Sequence, residues 1–336
     1  MSSPTVDVLE TRPDDVLFAA WCDVWAASSR AERPDERPRP ASEHVALGRQ
    51  LLAPGGSRDG THRAGVVDGE VAGALRLILP VRDNPTVAVL DLAVSPAHRG
   101  RGVGSTLLDE GVRLAREHGR TELVTEVDEP GPDSPGRTFA ERRGWTCDLV
   151  ETRRDLVLPL DEQRLRTVED KARRAGSGYR LVTWLDRTPD ELVDDRALLE
   201  RRMTTDAPHG DLPMEEEDWD ADRVREYERL HAERGRTVLS AGAVCGGRLV
   251  AFTDLQLTGA TPERAHQGGT LVLVEHRGHR LGSLVKAAVL RQVVRDFPQV
   301  RTITTYNADS NAPMVAVNDA LGFRPAGSLS SWSTRV

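Results

Sequence analysis

The chain repeats itself. Arg99 in AHRGRGVGS is matched by Arg277 in EHRGHRLGS, and the same separation of 178 residues joins Gly69 to Gly247, Gly104 to Gly282 and Gly144 to Gly322. The stretches VDVLETRPDD (6–15) and RLVTWLDRTPDE (180–191) also correspond, at a slightly shorter offset. Self-similarity at one fixed separation means one structural unit built twice. The length of 336 residues suits two domains of the usual size, about 100–200 residues each. The expected division is a first copy at 1–158, a linker at 159–178 and a second copy at 179–336. Within the linker, 161–174 is charged with scattered Leu and Val and reads as a short helix that Gly176 stops.

Each copy shows the same order of elements. A short strand (Val6–Leu9; Arg180–Trp184) precedes a helix opened by proline (Pro13–Ser28; Pro189–Met203). A hairpin follows: Ala64–Val67, the Asp68-Gly69 turn and Val71–Leu79 in the first copy; Val238–Val244, the Gly246-Gly247 turn and Leu249–Leu257 in the second. Next come a strand (Val87–Val94; Gly269–Val274), a Gly/Arg bend and a long helix. The helices carry Val103, Leu107, Leu108, Val112 and Ala115, or Leu281, Leu284, Val285, Ala288 and Val289, at helical spacing. A strand (Glu122–Val127; Thr302–Tyr306), a short helix ending at Gly144 or Gly322, and a last strand (Thr152–Leu158; about Gly327–Trp332) complete the unit. This order predicts an α+β fold, two tandem domains each with a mixed, mostly antiparallel sheet flanked by helices.

Composition excludes several functions. With 45 Lys and Arg against 53 Asp and Glu, the net charge of −8 gives no basic face for nucleic acid or an anionic membrane. Cys22, Cys147 and Cys245 are far apart and form no zinc or disulfide pattern, so a reducing compartment is expected. The start MSSPTVDVLETRPDD has no signal-peptide pattern, and no apolar run approaches the about 18 residues of a membrane span. The expected location is cytoplasmic, as a monomer or homodimer. Only Lys171 and Lys286 are lysines, which argues against Schiff-base chemistry.

The bend Arg99-Gly100-Arg101-Gly102-Val103-Gly104-Ser105 lies between a strand ending at Val94 and a helix. Its glycines allow tight curvature, the N–H groups of a helix start attract phosphate, and arginine reinforces a diphosphate. The second copy offers Val272, Arg277, Gly278, Arg280 and Gly282 at the same steps. A Walker A loop lacks its G-K-[ST] here, and a dinucleotide fingerprint lacks its G-x-G-x-x-G. The pattern R-x-x-G-x-G after V-x-P-x-H-R instead resembles the acetyl-CoA loop of the GNAT superfamily of N-acetyltransferases. The tandem layout is similar to that of mycothiol synthases, in which the C-terminal half acts and the N-terminal half is largely structural, so the second copy is expected to host acetyl transfer while the first binds CoA best by its loop.

The resemblance extends to a later motif, N-x-x-A-x-x-x-Y-x-x-x-G-F. In the second copy Asn311, Gly322 and Phe323 match, and Asn318 stands at the tyrosine; in the first, Asp133, Gly136, Ala140 and Gly144-Trp145 occupy those steps. In the family that tyrosine protonates the departing CoA thiolate, so neither copy has the usual general acid. The resemblance implies acetyl-CoA as cosubstrate and the primary amine of a small molecule or peptide as acceptor. It places the cofactor on the two bends and on Asn311. Candidate acids and bases are Asp254, His266 and Tyr306 in the second copy, with Asp91 and Glu126 in the first; the alternatives are a solvated or ion-paired carboxylate for Asp254, a surface histidine for His266, core packing for Tyr306, and ion pairs with Arg76 or Arg101 for Asp91 and Glu126. The acidic run Glu215–Asp220 reads either as a mouth for a cationic amine or as a helix start. The alternative to an acetyltransferase is a catalytically silent CoA-binding or structural tandem module.

Overall fold

The computed structural model describes residues 5–129, 131 and 134–336. Asp133 lies outside them. The chain forms two compact units. The first comprises Met1–Leu149, Gly210–Glu215 and Leu329–Val336; the second comprises Val150–His209 and Glu216–Ser328.

In the first unit the strands are β1 (Asp7–Thr11), β2 (Arg58–Val67), β3 (Glu70–Pro80), β4 (Val87–Val94) and β5 (Glu122–Glu129). They lie in that order, with the residues from Leu329 onward bordering β5. Every pairing from β1 to β4 is antiparallel, and β4 and β5 run parallel. Asp68 and Gly69 take positive φ of 51° and 85°, the left-handed pair that the sequence at this hairpin anticipates. Helices α1 (Val16–Glu32) and α2 (Ala41–Leu52) cover one face of the sheet, and α3 (Val103–Glu117) covers the other. Helix α3 lies close to the sheet because Gly111 has no side chain: a Cβ there would come within 2.3 Å of Leu90. Helix α4 (Pro135–Arg142) packs on β5. Trp332 is buried in the core with Leu75, Leu107 and Trp145.

The second unit begins within β6 (Thr146–Val157), whose residues from Val150 belong to it, and continues through α5 (Glu162–Ala175), β7 (Arg180–Leu185), α6 (Val193–Asp206) and α7 (Ala221–Glu233). It goes on with β8 (Arg236–Cys245), β9 (Arg248–Thr258), β10 (Arg264–Val272), α8 (Leu281–Asp296), β11 (Thr302–Ala308), α9 (Ala312–Leu321) and the start of β12 (Arg324–Arg335). Its strand order is β6-β11-β10-β9-β8-β7, again with one parallel pair, β10 and β11. Helix α5, N-capped by the Asp161 side chain, is an ordered part of this unit: Leu165 and Ala172 are buried beside Leu281 and Leu284 of α8. The mixed α+β architecture expected from the sequence is therefore present twice. Helices α2 and α7 are additions to that expectation. Their buried faces include Glu43, His44, Arg223 and His231, so apolar periodicity does not mark them.

Strand β10 begins earlier than the sequence pattern indicates, and its register shifts between Gln267 and Thr270. Among the described residues no helix is long and apolar enough to cross a membrane, and no group of His, Cys, Asp and Glu is placed to hold a metal ion.

The bend before α8 keeps the left-handed path of its counterpart although arginine replaces glycine: Arg280 has φ 54° and ψ 26°, against φ 90° at Gly102. A residue with a Cβ is disfavoured there by about 1–2 kcal/mol. Arg280→Gly is therefore expected to raise stability by about 1 kcal/mol, measured as a higher urea midpoint with unchanged m-value.

Candidate active site

Strands β4 and β5 pair only briefly. Val87, Ala88 and Val89 face Glu122, Leu123 and Val124, while β4 stays hydrogen-bonded to β3 as far as Val94. Beyond Val89 the two parallel strands part. A cleft of about 530 Å³ opens there, walled by Leu90 and Leu92 on one side and Thr125, Glu126 and Val127 on the other. Leu108, Ala140 and Trp145 make its apolar floor. Alternate backbone groups of Leu90–Val94 face the gap, which suits an extended ligand that pairs along a strand edge.

The bend closes one end of the cleft. Gly100 and Gly102 have φ of 73° and 90°, and a Cβ on either would meet nothing within 4 Å, so dihedral freedom rather than space selects glycine here. Thr106 N–H donates to Gly102 C=O, which leaves the N–H groups of Val103, Gly104 and Ser105 ahead of the helical ladder. Free N–H donors at a helix start and the helix dipole favour an anion, and Arg101 stands exposed beside them. Of the residues singled out from sequence, Val94, Arg99, Gly100, Gly102, Gly104 and Ser105 line the cleft, while Val103 turns into the core.

Arg99 has a different occupation from the one the motif suggests. Its Nε donates to Val94 C=O (3.2 Å), and its Nη2 donates to Ser28 Oγ (2.8 Å) and Glu32 Oε1 (2.7 Å). It ties the end of β4 to the last turns of α1. Arg277 repeats this, with Nε to Val272 C=O (3.1 Å) and Nη2 to Asp206 Oδ2 (2.9 Å) at the end of α6. Sequence reasoning missed Ser28 and Glu32, which lie 71 and 67 residues away and leave no local signal. It also passed over His98, which lines the cleft; the repeated H-R of His98-Arg99 and His276-Arg277 was the available cue.

The second unit fills the corresponding ground. At the same 178-residue offset, Leu108, Ala140 and Trp145 become Lys286, Asn318 and Phe323. Lys286 is 1% exposed; its Nζ donates to Asn318 Oδ1 (2.7 Å) and lies 5.5 Å from the Phe323 ring centre. Asn318 in turn donates to Asn307. Around the bend, the Tyr179 hydroxyl bonds His276 Nδ1 (3.0 Å), and the Tyr179 ring lies against His279. Gly278 keeps φ 88°. Asn311 caps α9, its Oδ1 accepting from Met314 N–H (3.4 Å).

The structure brings Asp254, His266 and Tyr306 onto one face of the second sheet, because His266 lies opposite both Gln256 and Thr304. Asp254, 2% exposed, is fully engaged: Arg196 donates to both oxygens (3.2 and 2.5 Å) and Ser240 Oγ to Oδ1 (2.6 Å). His266 and Tyr306 are half-buried. In the first unit Asp91 pairs with Arg76, and Glu126 is exposed on the cleft wall. The acidic run is a helix start: Asp220 caps α7 through Arg223 N–H (2.8 Å), Glu217 pairs with Arg223 (3.2 Å) and Asp218 with Arg201 (3.0 Å). These pairings withdraw much of its charge from any passing amine.

A strand pair that parts beside a glycine-arginine bend, in a chain that builds the unit twice, defines a tandem acetyltransferase fold. Residues 20–145 match the Acetyltransferase (GNAT) family. A tandem GNAT protein from the clavulanic acid biosynthesis pathway is 31% identical over 98% of both chains, with a TM-score of 0.79. The chain belongs to the GNAT family of acetyltransferases. A mycothiol acetyltransferase of Rothia mucilaginosa is 34% identical over 99 residues, 29% of this chain and 27% of that protein. An L-2,4-diaminobutyric acid acetyltransferase of Nocardia farcinica is 36% identical over 90 residues, 25% of this chain and 45% of that protein. The matched stretches thus span about a quarter and under half of these curated relatives.

Burial lowers the Lys286 pKa from 10.5 to about 7. Below about pH 7 both folded and unfolded chains hold this proton, and the cost of burying the charge is fully felt. Between pH 7 and 10.5 the unfolded chain binds the proton more tightly, so this site makes stability rise with pH. Urea midpoints of wild type should therefore climb from pH 7 to pH 10 relative to Lys286→Met, in which that component is absent.

Proposed function

We propose that this enzyme transfers the acetyl group of acetyl-CoA to the primary amine of a small molecule or peptide, and that the first unit performs the transfer. The observation that carries the proposal is the cleft between β4 and β5, open over an apolar floor and closed by an anion-binding bend. The donors of Val103, Gly104 and Ser105, with Arg101, suit a diphosphate; the floor of Leu108, Ala140 and Trp145 suits an apolar arm. Acetyl-CoA bound there supplies the activated acyl group. The N–H groups of β4 that face the gap polarise its carbonyl. Glu126 on the opposite wall takes the ammonium proton, directly or through water, so that a neutral amine attacks. Ala140 stands where the family places its tyrosine, and solvent supplies the proton to the leaving thiolate. Free cysteines at Cys22, Cys147 and Cys245 accord with a reducing compartment, and the cytoplasm is the proposed location.

Ala140 and Asn318 at the tyrosine steps favour one second reading, a module that binds CoA without reacting. Release of free thiol from acetyl-CoA in the presence of a primary-amine panel separates the two. Glu126→Gln should lower kcat at least tenfold with acetyl-CoA affinity unchanged. Gly102→Ala should weaken acetyl-CoA binding by calorimetry about tenfold, the equivalent of about 1.4 kcal/mol, whereas Gly278→Ala should not. Stoichiometric CoA binding with no thiol release for any amine would establish the silent module instead.

A further inference from the structure

On the face of the first sheet under α1 and α2, four polar side chains stand in a row across four strands. Thr11 of β1 is opposite His62 of β2, His62 is opposite Arg76 of β3, and Arg76 is opposite Asp91 of β4. Cross-strand partners share a face, so the row is continuous. Trp25 and His44 stack above it (ring centres 6.1 Å apart, 26° between planes), and the Arg76 guanidinium lies 5.8 Å from the Trp25 ring centre. Thr11, His44, His62 and Arg76 are each no more than 5% exposed. Yet Thr11 Oγ1, Trp25 Nε1, His44 Nδ1, both nitrogens of His62 and Arg76 Nη1 are buried with no hydrogen-bond partner among the described residues. Such groups are normally paired. The neighbouring Trp21 shows this, its Nε1 donating to Arg63 C=O at 3.1 Å.

The second unit shows what the fold does with this row when it is closed. The position 178 residues beyond Arg76 is Asp254, opposite Ser240, and Arg196 of α6 reaches down to satisfy it. Among the described residues no helix supplies such a partner to Arg76 Nη1. Burial lowers the pKa of His44 to about 2 and of His62 to about 4, so both imidazoles are neutral. Asp91 balances Arg76, donating none and accepting from its Nε (2.9 Å) and Nη2. What remains is a buried cluster rich in unpaired donors: a guanidinium edge, an indole N–H and a hydroxyl. Such a set matches a carboxylate. At its β4 end stands the partly exposed carboxylate of Asp91, on the sheet face opposite its chain neighbours Leu90 and Leu92, which line the acyl cleft. That end matches an ammonium group.

We propose that the acceptor is a short aminocarboxylate, its carboxylate held by Arg76 Nη1 and Trp25 Nε1 and its amine held by Asp91, whose chain neighbours line the cleft. This rests on the reading that the first unit transfers the acetyl group. Adjacent strands are about 4.8 Å apart, so amine and carboxylate are separated by a few bonds only. A polyamine would place a second cation against Arg76, and a protein lysine brings no carboxylate of its own at that distance.

The test compares matched amines with and without the carboxylate: β-alanine against ethylamine, and 4-aminobutyrate against propylamine. Thiol release from acetyl-CoA should show kcat/KM at least tenfold higher for the aminocarboxylate of each pair. Arg76→Gln should bring each pair to near equality, chiefly through KM. Should that variant fail to fold, Trp25→Phe, which removes only the indole donor, should raise the aminocarboxylate KM severalfold. Binding is read separately by tryptophan fluorescence, titrating the same compounds into the CoA-loaded protein. Equal rates within each pair in wild type overturn the proposal and leave acetyl transfer standing. No thiol release with any amine, but saturable aminocarboxylate binding that Arg76→Gln abolishes, overturns the transfer reading and sustains the carboxylate site. Absence of both overturns both.

Discussion

The chemistry proposed for this protein depends on two parallel strands that stop pairing. Three residues of β4 meet three of β5, and then the ladder ends while β4 continues along β3. A sheet interior rarely leaves backbone donors and acceptors without partners, because their desolvation is costly. Here the open edge is tolerated because it faces a cleft. Every other feature of the site serves that gap: the bend that closes its end, the floor of Leu108 and Trp145, and the Arg99 clamp that holds β4 to α1. Arg99 acts as a positioning residue through its Nε and Nη2, which bond Val94, Ser28 and Glu32.

The two copies show how one frame diverges through few side chains. Both retain the clamp, the left-handed bend and the single parallel pair. They differ in what occupies equivalent positions. Where the first unit has a small apolar floor, the second carries Lys286 hydrogen-bonded to Asn318 and Asn307. Where the first has Arg76 with an unpartnered donor, the second has Asp254 enclosed by Arg196 and Ser240. At both sets of equivalent positions the second unit carries polar side chains hydrogen-bonded to one another. Burying a lysine is costly, and its Asn318 partner limits the cost without removing it.

Much of this was legible in the sequence. The hairpins were announced by Asp68-Gly69 and Gly246-Gly247, and α3 and α8 by apolar spacing. The bend itself was visible as glycines and arginines repeated at 178 residues. Other features were hidden for physical reasons. Helices α2 and α7 bury charged and histidine side chains, so their faces carry no apolar stripe. The role of Arg99 depends on a carboxylate 67 residues earlier. The row Thr11–His62–Arg76–Asp91 exists only once register is known, since no spacing within any one strand reveals it. The sequence pattern directed attention to acidic residues 215–220, and the structure pairs several of them with Arg201 and Arg223.

The placement of the last strand has a consequence for biosynthesis. Trp332 packs in the core of the first unit, and Ser330 bonds Glu129 across 201 residues of chain. A ribosome therefore delivers nearly all of the second unit before the strand that borders β5 emerges. The unit made first is the one that must wait to finish, and during that interval its β5 border and the ground under Trp332 stay open to solvent and to unwanted partners.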